Sequence, residues 1–154
     1  MATVSFQFPP FPEHVRTARL VVGAAARREG VAEELVDELR LAVGEACTCA
    51  VLRHQSAGLT NADITVEVEQ TEAGFAVSVR DEVTTGADSS SAALPTNGTR
   101  QDNESTTDVD IDALDFDEDL AIALIRGLAP VSDIEDSVTG RIISMTWPLS
   151  NRVN

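Results

Sequence analysis

The sequence predicts an α/β fold: a two-layer sandwich in which a mostly antiparallel sheet is covered on one face by three helices. Three observations carry that expectation. Apolar residues recur at helical spacing in some segments and at alternate positions in others. The segments follow in the order β, α, α, β, β, loop, α, β, β, so consecutive strands can pair as hairpins. A chain of 154 residues, 43% of them hydrophobic, is also the size of one domain with one core, so residues 1–154 read as a single domain.

Each element has its own signature. Val4, Phe6 and Phe8 alternate with polar residues as in a half-buried strand, and Pro9, Pro10 and Pro12 end it. Glu13 to Glu29 reads as a helix with Val15, Ala18, Val22 and Ala25 on one stripe, closed by Gly30. A longer helix runs from Ala32 to His54, its core face drawn by Leu35, Leu39, Ala42, Val43, Ala46 and Ala50. Ile64, Val66 and Val68, then Phe75, Val77 and Val79, form two alternating strands joined by a hairpin through Thr71 to Gly74. Asp117 to Ala129 returns to helical spacing with Leu120, Ile122, Leu124, Ile125 and Leu128. Acids sit in its first turn, where the helix dipole favours them, and Pro130 stops it. Val131 to Glu135 and Arg141 to Leu149 make the last strand pair, with Ile143, Met145 and Trp147 alternating and Gly140 at the turn.

Charge is unevenly placed. The net charge is −15, from 26 acids against 11 basic residues. From Asp81 to Asp119 the only basic residue is Arg100, and this stretch holds most of the excess. Between Thr84 and Thr107 the residues are chiefly Ser, Thr, Asn, Asp, Gly and Pro, which cannot bury enough surface to offset their ordering entropy. We expect a flexible acidic lid or insertion at 83–116. The run Asp108, Asp110, Asp112, with Asp119 at the closing position, has the alternate-acid spacing of a calcium loop, but Ala113 stands where the sharp turn needs glycine.

The excess of acids argues against nucleic-acid or anionic-membrane binding, since phosphate repels it. Neither end reads as a secretory signal, and no apolar run approaches the roughly 20 residues that span a bilayer. Cys47 and Cys49 are two apart on a helix, where side chains do not face each other, so no disulfide framework is expected. A cytoplasmic protein is the expectation. All basic residues are Arg, as GC-rich coding leaves them, which points to a bacterial and specifically actinobacterial source.

Two stretches carry a family resemblance that covers nearly the whole chain. Leu39-Arg40-Leu41-Ala42-Val43-Gly44-Glu45-Ala46-Cys47-Thr48-Cys49-Ala50-Val51 and Leu120-Ala121-Ile122-Ala123-Leu124-Ile125-Arg126-Gly127-Leu128-Ala129 flank the acidic stretch. They resemble the second-helix motif and the helix after the lid in the anti-sigma factor and serine-protein kinase branch (RsbW/SpoIIAB type) of the GHKL, or Bergerat-fold, ATPases. The resemblance implies a two-layer Bergerat sandwich, a homodimer, and a cofactor, ATP with Mg²⁺. It implies that Glu45 is the general base of phosphoryl transfer. Cys49 takes the place of the family's magnesium-holding Asn, although Mg²⁺ demands hard oxygen donors. Arg53 stands where His is common, with His54 one place out of register. Asp81 matches the Asp that reads the adenine amino group, but Val83 and Thr85 follow it where the family has glycine. Asp117 and Asp119 fall at the glycine pair that lets the backbone approach the phosphates, and they place acid where phosphate would sit.

Site chemistry alone allows a blander reading of the same residues. Glu45 and Arg53 then lie on a solvated flank, Cys49 is a small buried hydrophobe and Asp81 is a strand-end turn residue. Arg16 and Arg19, three apart on the first helix, form a cationic patch, and the resemblance implies that Arg19 contacts both a sigma factor and a competing anti-anti-sigma protein. The expected function is therefore an anti-sigma regulatory protein that sequesters an alternative sigma factor, is countered by an anti-anti-sigma protein, and has weak or lost ATP binding. The alternative is an active serine-protein kinase acting on the anti-anti-sigma partner. Limited proteolysis tests the acidic stretch: first cuts are expected between Thr84 and Thr107, and first cuts within the two long helices would show that the composition misleads.

Overall fold

The computed structural model describes residues 3–84 and 117–150. Most of the expected acidic insertion, including Asp108, Asp110 and Asp112, lies outside the described residues. The order of elements is the one the sequence suggests. Strand β1 (Thr3–Phe8) leads into helices α1 (Glu13–Glu29) and α2 (Glu33–Ser56), followed by the hairpin of β2 (Ile64–Thr71) and β3 (Gly74–Arg80). Helix α3 (Glu118–Leu128) then precedes the hairpin of β4 (Val131–Ser137) and β5 (Gly140–Trp147). Among the described residues the architecture is α/β, a five-stranded antiparallel sheet with three helices, as in the GHKL ATPase fold.

The strands lie in the order β1-β2-β3-β5-β4, so β5 inserts between the first hairpin and β4. Register follows the alternation of apolar residues, because a one-residue slip would turn every core side chain to the other face. Phe6 pairs with Val66, Val66 with Val79, Val79 with Ile143 and Ile143 with Ile134, a single apolar row across all five strands. The next row on the same face runs through Val4, Val68, Val77 and Met145. Both rows face the helices, and Val66, Val77, Val79 and Met145 are buried.

Helix α2 is the centre of the molecule, packing on α1, on α3 and on strands β2, β3 and β5. For that reason its buried residues exceed the stripe drawn from the sequence. Val36, Gly44, Cys47, Cys49, Val51 and His54 join Leu39, Ala42, Val43, Ala46 and Ala50, while Leu35 is only half-buried. Periodicity marks one face, and a helix touched from three sides buries more than one.

Two stripes are corrected by the structure. In α1 the buried residues are Ala18, Val22, Gly23 and Ala26, so Val15 and Ala25 flank the core stripe. In α3 only Ala121 and Ile125 are buried, and Leu120 and Leu124 face away at 57% and 39% exposure. Helix α3 rests mainly on α2 and so buries a narrow strip. Similarly, Val4 on edge strand β1 remains 49% exposed. Among the described residues no helix is long and apolar enough to cross a membrane.

The ends of these elements are set chemically. Gly30 closes α1 in the left-handed conformation at φ 94°, its N–H reaching the carbonyls of Ala26 and Arg27. Gly140 has φ 138°, and a Cβ there would run into the carbonyl oxygen of Asp81. This glycine lets the β4–β5 turn close against the end of β3. Gly140→Ala is expected to destabilise the fold by roughly 1–3 kcal/mol through backbone strain, read as a lowered urea midpoint with an unchanged slope.

Candidate functional site

Four elements meet toward the C-terminal end of α2. Glu45, Cys49 and Arg53 are four apart and share one side of α2, as helical geometry requires. Asp81 follows β3, Arg141 begins the pairing of β5, and Asp117 to Asp119 open α3. Between them lies a cleft of about 450 Å³ lined by Cys49, Leu52, Arg53, Ser56, Val83 and Glu118.

Asp81 is the most constrained residue of this site, at 2% exposure. Its Oδ1 accepts from the backbone N–H groups of Val83 and Arg141, each at 3.0 Å, and its own N–H donates to the Arg141 carbonyl at 3.0 Å. Its Oδ2 accepts from Arg53 Nε at 2.7 Å. Arg53 is itself 18% exposed and reaches the Val83 carbonyl with Nη2 at 3.4 Å. A buried carboxylate needs an opposite charge and good hydrogen bonds to offset desolvation, and here Arg53 supplies the charge.

A second ion cluster borders the first. Arg141 donates from Nε to Asp136 Oδ1 at 2.7 Å and from Nη1 to Glu118. These bonds, from Asp136 first, push the Arg141 guanidinium further above its usual range against a partial burial cost. In return Arg141 holds the Asp136 carboxyl below the usual carboxylate range. The pair therefore ties the start of α3 to the β4–β5 hairpin.

His54 is fully buried beside this junction. The Glu82 N–H donates to Nε2 at 3.0 Å, so Nε2 must carry the lone pair, and Nδ1 carries the proton it gives to the Leu59 carbonyl at 3.0 Å. His54 thus stitches the end of α2 to the segment after β3. The sequence marks it only as a histidine out of register; a pairing across 28 positions leaves no local signal.

The remaining residues fall as follows. Glu45 is half-buried and, among the described residues, has no hydrogen bond or ion pair. Cys49 is 1% exposed, and burial first, with Glu118 and Glu45 adding, pushes its thiol up to about 12. Cys47 is likewise pushed up to about 12 by burial, and both cysteines are free. The neighbouring Thr48 hydroxyl is already given to the Gly44 carbonyl at 2.8 Å. Asp117 is the N-cap of α3: its Oδ1 accepts from the N–H groups of Asp119 and Leu120 at 3.0 and 3.2 Å. Asp119 is exposed in the first turn. Arg16 is exposed and Arg19 half-buried on α1, away from this cleft and in a separate groove.

The structure thus brings together Cys49, Arg53, Asp81 and Glu118, and leaves Arg16 and Arg19 apart from them. Arg53 and Asp81 depart from the blander reading, since Arg53 is not on a solvated flank and Asp81 is more than a turn residue. Cys49 does behave as a small buried hydrophobe. Among the described residues no three or more His, Cys, Asp or Glu side chains are grouped to hold a metal ion.

As a donor set for Mg-nucleotide, these residues do not fit. A thiol held protonated offers Mg²⁺ nothing, and Asp81 has only one lone pair of Oδ2 still free. The N–H groups at the start of α3 that would meet a phosphate are taken by Asp117, with Glu118 and Asp119 adding negative charge in the same turn.

Residues 8–147 match the family model of the histidine kinase-like ATPase domain. The chain is 33% identical over 125 residues to a serine-protein kinase RsbW of Listeria monocytogenes serovar 1/2a, covering 81% of this chain and 69% of that protein. It is 36% identical over 78 residues to the RsbW of Listeria innocua, covering 51% of this chain and 49% of that protein. A third RsbW, from Listeria monocytogenes serotype 4a, is 38% identical over 64 residues, 40% of its length. The chain thus spans about half or less of the latter two relatives.

One substitution probes the buried ion pair. Arg53→Ala leaves Asp81 buried without a counter-charge, and is expected to lower stability by about 3–5 kcal/mol in urea unfolding. A loss within about 0.5 kcal/mol would mean that the two backbone N–H groups suffice to hold the carboxylate.

Proposed function

We propose, from the premise that this chain belongs to the histidine kinase-like ATPase domain family and within it to the RsbW-like anti-sigma factors, that it regulates transcription by sequestration. In this reading it captures an alternative sigma factor and is relieved by an anti-anti-sigma protein, without depending on phosphoryl transfer. The supporting observation is the Asp81 carboxylate. In the family reading it would meet the adenine amino group, yet here Arg53 already bonds Oδ2 at 2.7 Å and two backbone N–H groups hold Oδ1. A nucleotide would have to displace an ion pair from a buried site, at a cost of several kcal/mol.

Several features fit the same reading. Cys49 replaces an oxygen donor with a neutral thiol, and the acids at the start of α3 repel a triphosphate. Arg16 and Arg19 line a groove between α1 and α2 and not the cleft beside Asp81, so partner capture through them needs nothing from that pocket. We take the active form to be a cytoplasmic homodimer that binds neither nucleic acid nor membrane.

A second reading is favoured by the relatives' own description as serine-protein kinases. In it Glu45, half-buried and free of ion pairs among the described residues, serves as general base and the anti-anti-sigma partner receives the phosphate. Calorimetric titration with Mg-ATP, beside a pull-down against sigma factors and anti-anti-sigma proteins of the source organism, separates the two. The expected outcome is capture of one sigma factor with no ATP binding tighter than about 1 mM, or about 4 kcal/mol. Micromolar ATP affinity would overturn the sequestration reading in favour of the kinase, and no capture with or without ATP would remove the anti-sigma assignment.

A further inference from the structure

Helix α3 is apolar on two sides. Ala121 and Ile125 face the core, with Leu128 half-buried beside them. Leu120, Ala123, Leu124 and Gly127, three and four apart, form a second stripe, and all four are exposed among the described residues. A surface helix that packs only on its own core needs one such stripe, so the second is a surface left for contact.

Gly127 is the unexpected member of the stripe. Glycine inside a helix is costly, and here no internal contact asks for it, since a Cβ at 127 would meet no atom within 4 Å. The missing side chain leaves a notch two turns from Leu120. Along the border of the stripe stand one acid and one base, Asp119 and Arg126, also two turns apart. Both are exposed, and among the described residues neither has an ion pair.

We propose that this face docks a second copy of the chain, through two antiparallel α3 helices related by a twofold axis between residues 123 and 124. In that register Leu120 fills the notch at the partner's Gly127, and Leu124 lies over the partner's Ala123. A twofold brings the same flank of each helix together, so Asp119 meets the partner's Arg126 and the ion pair is made twice. Parallel helices would set Leu120 on Leu120 and Asp119 on Asp119, and would leave both notches empty. The antiparallel pair also lays the positive end of each helix beside the negative end of the other. This face supplies the interface of the homodimer taken above, and for its role it rests on that reading. At about 1.5 Å per residue α3 is roughly 16 Å long. Two such helices bury less than the roughly 1,200 Å² of a standard interface, so the association is weak, with Kd on the order of 10–100 µM.

Sedimentation equilibrium of the full chain, from micromolar concentration to about 1 mM, tests the face. Leu124→Glu should raise Kd at least tenfold and leave the urea midpoint unchanged, because the side chain is exposed in the single chain. If that variant does not fold, Leu124→Gln should raise Kd at least threefold. Gly127→Met should weaken association at least threefold by filling the notch, yet raise the urea midpoint, since Met is the better helix former. Asp119→Arg and Arg126→Asp should each weaken association at least threefold, and the two together should restore the wild-type Kd within twofold. A dimer that none of these substitutions weakens overturns the α3 face and keeps the homodimer reading. A wild type that stays monomeric at about 1 mM overturns both. If Leu124→Glu then lowers capture of a sigma factor, the face belongs to that partner and not to a second copy. Loss of the dimer in Leu124→Glu with no rescue by the charge exchange overturns the antiparallel register.

Discussion

Asp81 sits where three parts of the fold meet, and its carboxylate holds them in place. It caps the end of β3, bonds the backbone of Arg141 at the start of β5's pairing, and takes the guanidinium of Arg53 from α2. A buried carboxylate left alone would be costly, so its neighbours are constrained as strictly as it is. The glycine at 140 is one result: only a residue without a Cβ lets the turn approach the Asp81 carbonyl. His54 is another, a neutral imidazole bridging α2 to the backbone of Glu82 one residue beyond Asp81.

This arrangement makes the cleft polar but self-satisfied. Arg53 is committed to Asp81, Arg141 to Asp136 and Glu118, and Asp117 to its own helix. Charges that could meet a ligand meet each other instead. A pocket of this kind can retain its fold with no ligand bound, which suits the sequestration reading. Membership in a family of ATPases does not by itself decide the point, because function resides in the site and not in the fold.

The groove between α1 and α2 has the opposite character. Among the described residues, Arg16, Arg19 and Arg40 there have no ion pair, and the Nε–H groups of Arg19 and Arg40 are buried without acceptors. In one small molecule, then, the cleft is closed by internal ion pairs while the outer groove is left electrostatically open.

Local chemistry made the elements legible from the sequence. Alternation gave the strands, Pro9 and Pro130 ended elements, Gly30 closed α1, and the boundaries of α1 agree with the expected ones residue for residue. The order of elements and two quoted stretches were enough for the family. The individual roles were not legible, because they depend on pairs far apart in the chain: Arg53 with Asp81, His54 with Glu82, Arg40 with Gly23. Spacing on α2 put Arg53 on the face of Cys49, but whether it pointed to water or to Asp81 depended on where β3 ends. Likewise, the helical period of α3 marked Leu120 and Leu124 as apolar, and only its position on α2 decided that Ala121 and Ile125 would be the residues buried. Hydrophobic period and turn chemistry are properties of neighbours in sequence, whereas burial and ion pairing are properties of neighbours in space.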